Sequence, residues 1–143
     1  MTQTKPSAKR PEFGYHSKIE KSADKAKWVQ VDLGERVDIK KIVLHASHDD
    51  YNGIGAGFGF PVRFQVIASN RADLSRSQVL VDESGRDFAN PGLLAVEYGV
   101  QSSARYIRVK ATKLALRSND YIFALAELEI LDGTGKNRAL KAK

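Results

Sequence analysis

The sequence predicts an all-β fold, an antiparallel jelly-roll β-sandwich of about eight strands. Apolar and polar residues alternate along short stretches, and clusters of Gly, Asn, Asp, Pro and Ser separate these stretches. No stretch keeps a helical period, and parallel strands would need helical crossovers. At 143 residues the chain is long enough for one domain with its own core. The predicted strands are 28–33, 37–46, 63–69, 78–82, 94–98, 105–111 and 124–131.

The first two predicted strands flank a glycine turn. In 28–33, Trp28 is out of phase with the apolar positions that follow it, so both faces of the strand carry apolar residues near its start. This pattern predicts a strand covered on both sides, as in a sandwich of two sheets. Gly34 ends the first run, and the second run, 37–46, begins three residues later.

The later strands alternate more simply, with one apolar face each. Between the third and fourth strands, Arg71–Ser77 has room for one short turn. The residues predicted to point inward share a period of two; they are Phe64, Val66 and Ala68, then Leu94, Val96 and Tyr98, then Ile107, Val109 and Ala111, and then Ala126, Leu128 and Ile130.

The net charge of +6 is carried by the ends of the chain. Residues 1–12 and 133–143 together hold seven of the 23 basic residues and one of the 17 acidic ones, which leaves 16 of each in 13–132. A domain that binds nucleic acid concentrates positive charge on its folded surface. The neutral middle of this chain therefore argues against nucleic acid as a partner.

The composition excludes several kinds of site. Without cysteine there is no disulfide, no thiol catalysis and no cysteine–zinc site. No run approaches the roughly 20 apolar residues of a membrane span, and the polar start of the chain does not resemble a signal peptide. Ser47, His48 and Asp49 are consecutive, whereas a catalytic triad converges from separate elements. We therefore expect no enzymatic activity and no membrane insertion.

One loop, His48–Pro61, is too long to be a simple turn and is polar, aromatic and rich in glycine. A sugar offers hydroxyls to polar side chains and a C–H face to aromatic rings, so this loop is a candidate glycan site. Alternatively, Phe58 and Phe60 fold back onto the sandwich edge, as does the nearby Phe64, and the glycines only permit tight backbone turns. A strand follows Pro61 rather than a helix, which excludes a phosphate-binding loop. The candidate ligand-binding residues of the loop are His48, Asp49, Asp50, Tyr51, Asn52 and Phe58.

Four core segments, in this order, resemble the discoidin superfamily, also called coagulation-factor V/VIII type C domains, many of which are family 32 carbohydrate-binding modules. They are Trp-Val-Gln-Val-Asp-Leu-Gly at 28–34, then 39–44, 105–109 and 126–130. The resemblance spans 13–132. It implies an eight-stranded, galactose-binding-like jelly roll without catalysis that binds glycan through loops at one end. It also implies a larger secreted bacterial protein, located outside the cell, in the periplasm or on the cell surface.

Two further segments, 13–17 and 57–61, resemble a bacterial subgroup of these modules that is appended to large multidomain surface proteins. Residues 136–140 are similar to the opening of another such module. We therefore expect the chain after the last strand to have nothing to pack on, and we expect neighbouring domains as partners. The expected parts are a flexible N-terminal segment 1–12, a sandwich domain 13–132 and a linker 133–143.

The resemblance adds a second candidate loop just before the last strand. In sugar-binding members, a polar loop at this position meets the first loop at the same end of the sandwich. Arginine and asparagine can fork onto vicinal hydroxyls, and tyrosine can stack on the sugar; the alternative is a solvated hairpin with an Asx turn. The family's His, Arg and Asn are matched loosely by His48, Arg117 and Asn119. The candidates in this loop are Arg117, Asn119 and Tyr121.

A calcium site is common in the family, built from an early acidic loop, backbone carbonyls and a late glutamate. Glu127 occupies the late position, and Asp24 is the candidate ligand in the early loop. Calcium needs six to eight oxygen ligands. Residues 17–27 offer few carboxylates for this purpose, and their four lysines would repel the ion. This composition argues against calcium, and we expect no other cofactor.

The sequence leaves three functions open. The first is a glycan-binding module of weak intrinsic affinity that is amplified by avidity with sibling modules. The second is a structural or protein–protein module that packs against a neighbouring catalytic domain. The third is binding at a membrane surface through Ile54 and Phe58, although anionic lipid would repel the adjacent Asp49 and Asp50.

Overall fold

The structure, a computed structural model, describes residues 15–49, 55–92, 94–116 and 120–139. This part of the chain is all-β with antiparallel pairing, as predicted, and within it no helix is long and apolar enough to cross a membrane. The main sheet has five strands in the order β11-β2-β7-β5-β6. The strands are β1 Tyr15–His16, β2 Lys27–His45, β3 Ser47–Asp49, β4 Gly55–Phe58, β5 Arg63–Ser69, β6 Gln78–Glu83, β7 Val96–Lys113, β8 Ala115–Leu116, β9 Tyr121–Ile122, β10 Ala124–Leu125 and β11 Glu127–Asp132.

Two long strands, β2 with 19 residues and β7 with 18, form the centre of the main sheet. Their pairing shifts register between Asp32 and Val37, where Gly34 has a φ of 88°. The register shift lies inside β2 and does not end the strand. The expectation that Gly34 separates two strands is therefore wrong, because 28–33 and nearly all of 37–46 belong to one strand.

Buried side chains of β2 and of the neighbouring strands join one core cluster. The inward positions predicted for β5 and for the second half of β7 are all buried, and Leu128 and Ile130 of β11 are buried as well. Each apolar side chain of this size contributes about 1.5–3 kcal/mol when it is fully buried. Leu94 departs from its predicted inward position: it precedes β7 and is 75% exposed. The largest fully buried side chains of the cluster are Phe64, Phe123, Ile39, Ile42, Leu44, Ile107, Leu114 and Ile130.

Trp28 differs from the expectation that its strand is covered on both faces, because its side chain is 48% exposed. Its ring is covered by one side chain of the neighbouring strand: the guanidinium carbon of Arg108 lies 3.8 Å from the ring centroid. The Nε of Arg108 donates to the Oε1 of Gln30 at 2.8 Å, which holds the guanidinium in this position. A cation over an exposed ring contributes about 0.5–1 kcal/mol.

The predicted turn between β5 and β6 is present. The backbone N of Leu74 donates to the backbone O of Arg71 at 2.9 Å, and the hydroxyl of Ser69 donates to the backbone O of Ser75 at 2.8 Å. Leu74 and Arg76 have φ values of 61° and 55°, a conformation that costs a residue with a side chain about 1–2 kcal/mol. The hydrogen bonds across the turn offset this cost.

The chain after β11 folds back onto the sandwich. Asn137 forms a bridge with β11, and its Oδ1 accepts hydrogen bonds from the backbone N of Ile130 and of Ala139, both at 3.0 Å. Ala139 is 7% exposed and belongs to the core cluster. The expectation that the chain after Asp132 has nothing to pack on is therefore wrong for 133–139. Residues 1–12 lie outside the described part of the chain, so their expected flexibility stays a prediction.

Candidate functional site

Both predicted binding loops are β-hairpins. In the first hairpin, residues 47–58, β3 pairs with β4, and Asp49 lies opposite Gly55. In the second hairpin, residues 115–122, β8 pairs with β9, and Leu116 lies opposite Tyr121. The tips of the two hairpins, residues 50–54 and 117–119, are outside the described residues.

The bases of the two hairpins lie side by side. Gly59, which follows the first hairpin, accepts a hydrogen bond at 2.9 Å from the backbone N of Ala124, which follows the second. A second backbone bond, from Val62 N to Lys113 O at 2.9 Å, joins the chain after the first hairpin to the chain before the second. Gly59 has a φ of 75°, and a Cβ added there would lie 2.5 Å from the Cβ of Ala124. The sandwich thus holds the two hairpins next to each other through backbone contacts that require glycine.

A third segment, 17–24, borders the second hairpin. The backbones of Glu20 and Tyr121 exchange two hydrogen bonds of 2.9 Å, and Ser17 N donates to Phe123 O at 2.7 Å. The hydroxyl of Ser17 also accepts from Phe123 N at 3.1 Å. These bonds fix the backbone of Tyr121, whose side chain is half-buried and packs against the core cluster. Part of the predicted stacking surface of Tyr121 is therefore in contact with the fold.

Three other predicted ligand-binding residues lie on the paired strands of the first hairpin. His48 and Asp49 lie on β3 and Phe58 lies on β4, where His48 pairs with Ala56 and Phe58 with Ser47. The roles of their side chains stay predictions. The remaining predicted residues are at the hairpin tips, outside the described ranges; they are Asp50, Tyr51, Asn52, Arg117 and Asn119.

Phe60 and Phe64 are buried in an aromatic cluster and do not face a ligand. Their ring centroids are 5.6 Å apart with an interplanar angle of 88°, and Phe88 lies 5.6 Å from Phe60 and 5.4 Å from Phe64. Such edge-to-face pairs add about 0.5–1.5 kcal/mol beyond area burial. The alternative that Phe60 and Phe64 pack onto the sandwich is confirmed, and the same alternative for Phe58 stays a prediction. Phe88 could not be identified from the sequence, because it lies outside any alternating stretch.

Tyr98 borders the same aromatic cluster. Its ring centroid lies 6.4 Å from that of Phe64, and its hydroxyl donates to the Oε2 of Glu83 at 2.9 Å. Burial raises the pKa of the Tyr98 hydroxyl, and the hydrogen bond to Glu83 raises it further. The phenol therefore stays protonated and ties β7 to β6.

Of the two predicted metal ligands, Glu127 joins a group of side chains that could hold a metal, and Asp24 does not. Glu127 lies opposite His45 in the pairing of β11 with β2, and His45 Nε2 lies 2.5 Å from Glu129 Oε2. One ligand atom from each of these three residues lies within 4.8 Å of the others. Burial raises the pKa of the Glu127 carboxyl. Asp24 instead accepts a hydrogen bond from the hydroxyl of Ser22.

A polar cleft of about 590 Å³, which the sequence did not reveal, lies beside the turn that follows β11. Arg138 contributes to it and donates to Glu35 at 2.7 Å and to Asp132 at 3.4 Å. Asp132 also accepts hydrogen bonds from the hydroxyl and backbone N of Thr134, which hold the pKa of its carboxyl at about 2. The cleft depends on the fold-back of 133–139. Its lining residues are Arg36, Val37, Asp38, Lys40, Ser103, Asp132, Gly133, Thr134 and Arg138.

No family model matches the sequence, and no curated protein sequence matches it. Solved structures do match the fold. The family 32 carbohydrate-binding module from C. perfringens NanJ, solved in complex with galactose, has a TM-score of 0.58 at 16% identity and covers 80% of this chain and 73% of its own. A Clostridium perfringens module, CpGH89CBM32-5, in complex with GalNAc-β-1,3-galactose has a TM-score of 0.57 at 14% identity, over 83% and 75%.

A chitosan-binding module 1 from a chitosanase/glucanase of Paenibacillus sp. IK-5 has a TM-score of 0.56 at 16% identity, over 78% of this chain and 73% of its own. At these identities the likeness establishes the fold and leaves the ligand open. The sandwich predicted from the sequence is confirmed: this chain has the galactose-binding-like β-sandwich fold of the family 32 carbohydrate-binding modules.

Proposed function

We propose that this chain is a non-catalytic carbohydrate-binding module whose glycan site lies on the tips of the first and second hairpins. The observation that carries the proposal is the hydrogen bond between Ala124 and Gly59, which holds the bases of the two hairpins together. Because the segments that follow the two hairpins are adjacent, we expect both hairpins to contribute side chains to one sugar site. The similar structures solved with galactose and with GalNAc-β-1,3-galactose support this function.

The side-chain types at the tips suit a pyranose. Tyr51 offers a ring for the C–H face of the sugar, and Asp49 and Asp50 offer carboxylates to its hydroxyls. From the second hairpin, Arg117 and Asn119 offer donors that can bridge two neighbouring hydroxyls. A site made from two hairpin tips is shallow, so we expect weak binding by one module and tighter binding when several modules engage a polymer.

We also propose that the chain is part of a larger extracellular protein. The chitosan-binding module that shares its fold derives from a chitosanase/glucanase, a protein with a separate catalytic activity. Attachment to such a partner gives a weak module a function, because the module holds the enzyme near its substrate. The alternative is a module that packs against a neighbouring domain and binds no sugar. The experiment has to distinguish this alternative from glycan binding.

A glycan array with the 143-residue chain tests the proposal. The informative variant is Tyr51→Ala with Asn119→Ala, which removes one side chain from each hairpin tip. The matched control is Trp28→Ala, which removes an exposed aromatic residue from the outer face of β2. We expect the control to bind as the unchanged chain does and the double variant to lose binding, with the same circular dichroism spectrum for all three.

Two results would contradict the proposal. A blank array from folded protein would favour the packing module. Binding that is lost in Trp28→Ala and kept in the double variant would place the site on the face of the sheet rather than on the hairpins.

A further inference from the structure

We propose that His45, Glu127 and Glu129 form a binding site for a divalent transition-metal ion of the zinc type. One imidazole nitrogen and two carboxylate oxygens, one ligand atom from each residue, lie within 4.8 Å of one another. The site is separate from the hairpin tips, so it stands whether or not the chain binds glycan.

The backbone holds these three side chains on one face of the sheet. Glu127 and Glu129 are two residues apart on β11 and therefore point to the same side. His45 lies directly opposite Glu127 on β2, and Glu129 lies opposite Val43, two residues from His45. Leu128, between the two glutamates, is buried in the core on the other side. The ligand set is thus fixed by strand pairing rather than by a loop.

The donor atoms favour zinc over calcium. Calcium takes six to eight oxygen ligands, whereas zinc accepts imidazole nitrogen together with carboxylate oxygen and needs three protein ligands when a fourth position is left open. Tetrahedral zinc places its ligand atoms about 3.3 Å apart. His45 Nε2 and Glu129 Oε2 are 2.5 Å apart as a hydrogen-bonded pair, so binding zinc would replace that hydrogen bond and separate the two atoms by about 0.8 Å.

The charges around the site also favour a cation. Two carboxylates share one histidine, and all three side chains are partly buried. Lys41, which lies opposite Leu131 further along the same pair of strands, forms an ion pair with Glu97 at 3.1 Å. A divalent ion would balance the charge of both glutamates at once.

A bound ion would join β2 to β11 at the base of the first hairpin. His45 is separated from Ser47, the first residue of β3, by Ala46 alone. Because the ion binds the folded arrangement and not the unfolded chain, it would raise the melting temperature as its concentration rises.

Isothermal titration of tag-free protein with zinc chloride tests the site, with cobalt(II) absorption in the visible region as a readout of coordination. The variants are His45→Gln and Glu129→Gln, and the control is Glu97→Gln, a carboxylate outside the group. We expect one equivalent of zinc on the unchanged chain and on the control, and at least a tenfold loss of affinity in both variants. Excess calcium should not displace cobalt.

Three results would overturn the proposal. The first is the absence of stoichiometric zinc binding by folded protein. The second is unchanged affinity in both variants, which would assign any bound zinc to His16 or His48 instead. The third is displacement of cobalt by equimolar calcium, which would indicate an all-oxygen site. If His45→Gln does not fold, Glu129→Gln keeps the test intact, because Glu129 is only half-buried.

Discussion

Gly59 lies at the contact between the segments that follow the two hairpins. Its φ of 75° lies in the left-handed region, where side chains are strained, and its Cα faces Ala124 with no room for a methyl group. Gly34 also has a left-handed φ, of 88°, but it is not crowded, because an added Cβ would meet nothing within 4 Å. The pair therefore separates the cost of backbone strain from the cost of crowding.

We predict that Gly59→Ala lowers the free energy of unfolding by about 2–5 kcal/mol, from left-handed strain of about 1–2 and overpacking of about 1–3. Gly34→Ala should cost only the strain, about 1–2 kcal/mol. Urea denaturation followed by tryptophan fluorescence measures both. Equal losses in the two variants would mean that the contact with Ala124 does not constrain the hairpins.

The sequence could not single out Gly59. It is one of four glycines at alternate positions from Gly53 to Gly59, and its partner Ala124 is far away in the chain. The same limit applies to Glu129, which becomes a candidate ligand only when strand pairing brings it to His45. Properties that depend on a distant partner leave no local pattern.

Among the elements, the strands with simple alternation were predicted well. β5 has the predicted bounds, 63–69, because Phe64, Val66 and Ala68 all face the core and loops rich in turn residues flank the strand. β2 was divided wrongly at Gly34, since a glycine in an alternating run indicates a bulge as readily as a turn. A bulge differs from a turn only in what the partner strand does, and the sequence of one strand does not contain that information.

The segment after β11 was predicted as a linker because glycine and polar turn residues break the last strand and 136–140 are similar to the opening of another module. The structure packs it through one side chain, Asn137, whose Oδ1 accepts from the backbone N of Ile130 and of Ala139. Polar turn residues that hydrogen-bond to their own backbone occur in folded turns and in linkers alike. The composition alone therefore does not distinguish the two.

We predict that Asn137→Ala lowers the free energy of unfolding by about 1–2 kcal/mol, because two backbone donors lose their acceptor. Lys136→Ala, at an exposed position in the same turn, should change it by less than about 0.5 kcal/mol. Urea midpoints at neutral pH compare the two variants. A loss in Lys136→Ala as large as that in Asn137→Ala would contradict the packing of 133–139 through Asn137.

On the scale of the whole molecule, the balanced charges of 13–132 form defined contacts in the folded chain. Arg105 holds Asp32 with two hydrogen bonds of 2.7 and 3.0 Å, and Lys113 and Arg63 both contact Asp87. These contacts lower the pKa of the Asp32 and Asp87 carboxyls. Hydrogen bonds within turns lower the pKa of Asp73, Asp82 and Asp132 in the same direction.

These shifts determine how stability depends on pH. A carboxyl whose pKa is lower in the folded chain than in the unfolded one binds its proton more readily after unfolding, so its contribution is complete above the unfolded pKa and is lost as pH falls through the folded pKa. For Asp132 the window runs from the ordinary value of 3.8 down to about 2. We therefore predict that the free energy of unfolding falls steeply below about pH 4 as the five aspartates protonate.

Asp132→Asn isolates one of these groups, because asparagine keeps the shape of the side chain and has no charge to lose. At pH 7 the variant should unfold at a lower urea concentration than the unchanged chain. The gap between the two should close as the pH falls from about 4 to 2, where Asp132 itself becomes neutral. Urea midpoints at pH 7, 5, 3 and 2 measure the gap. Curves that stay parallel down to pH 2 would mean that Asp132 contributes through its shape and hydrogen bonds, and that its charge adds nothing to the fold-back of the chain after β11.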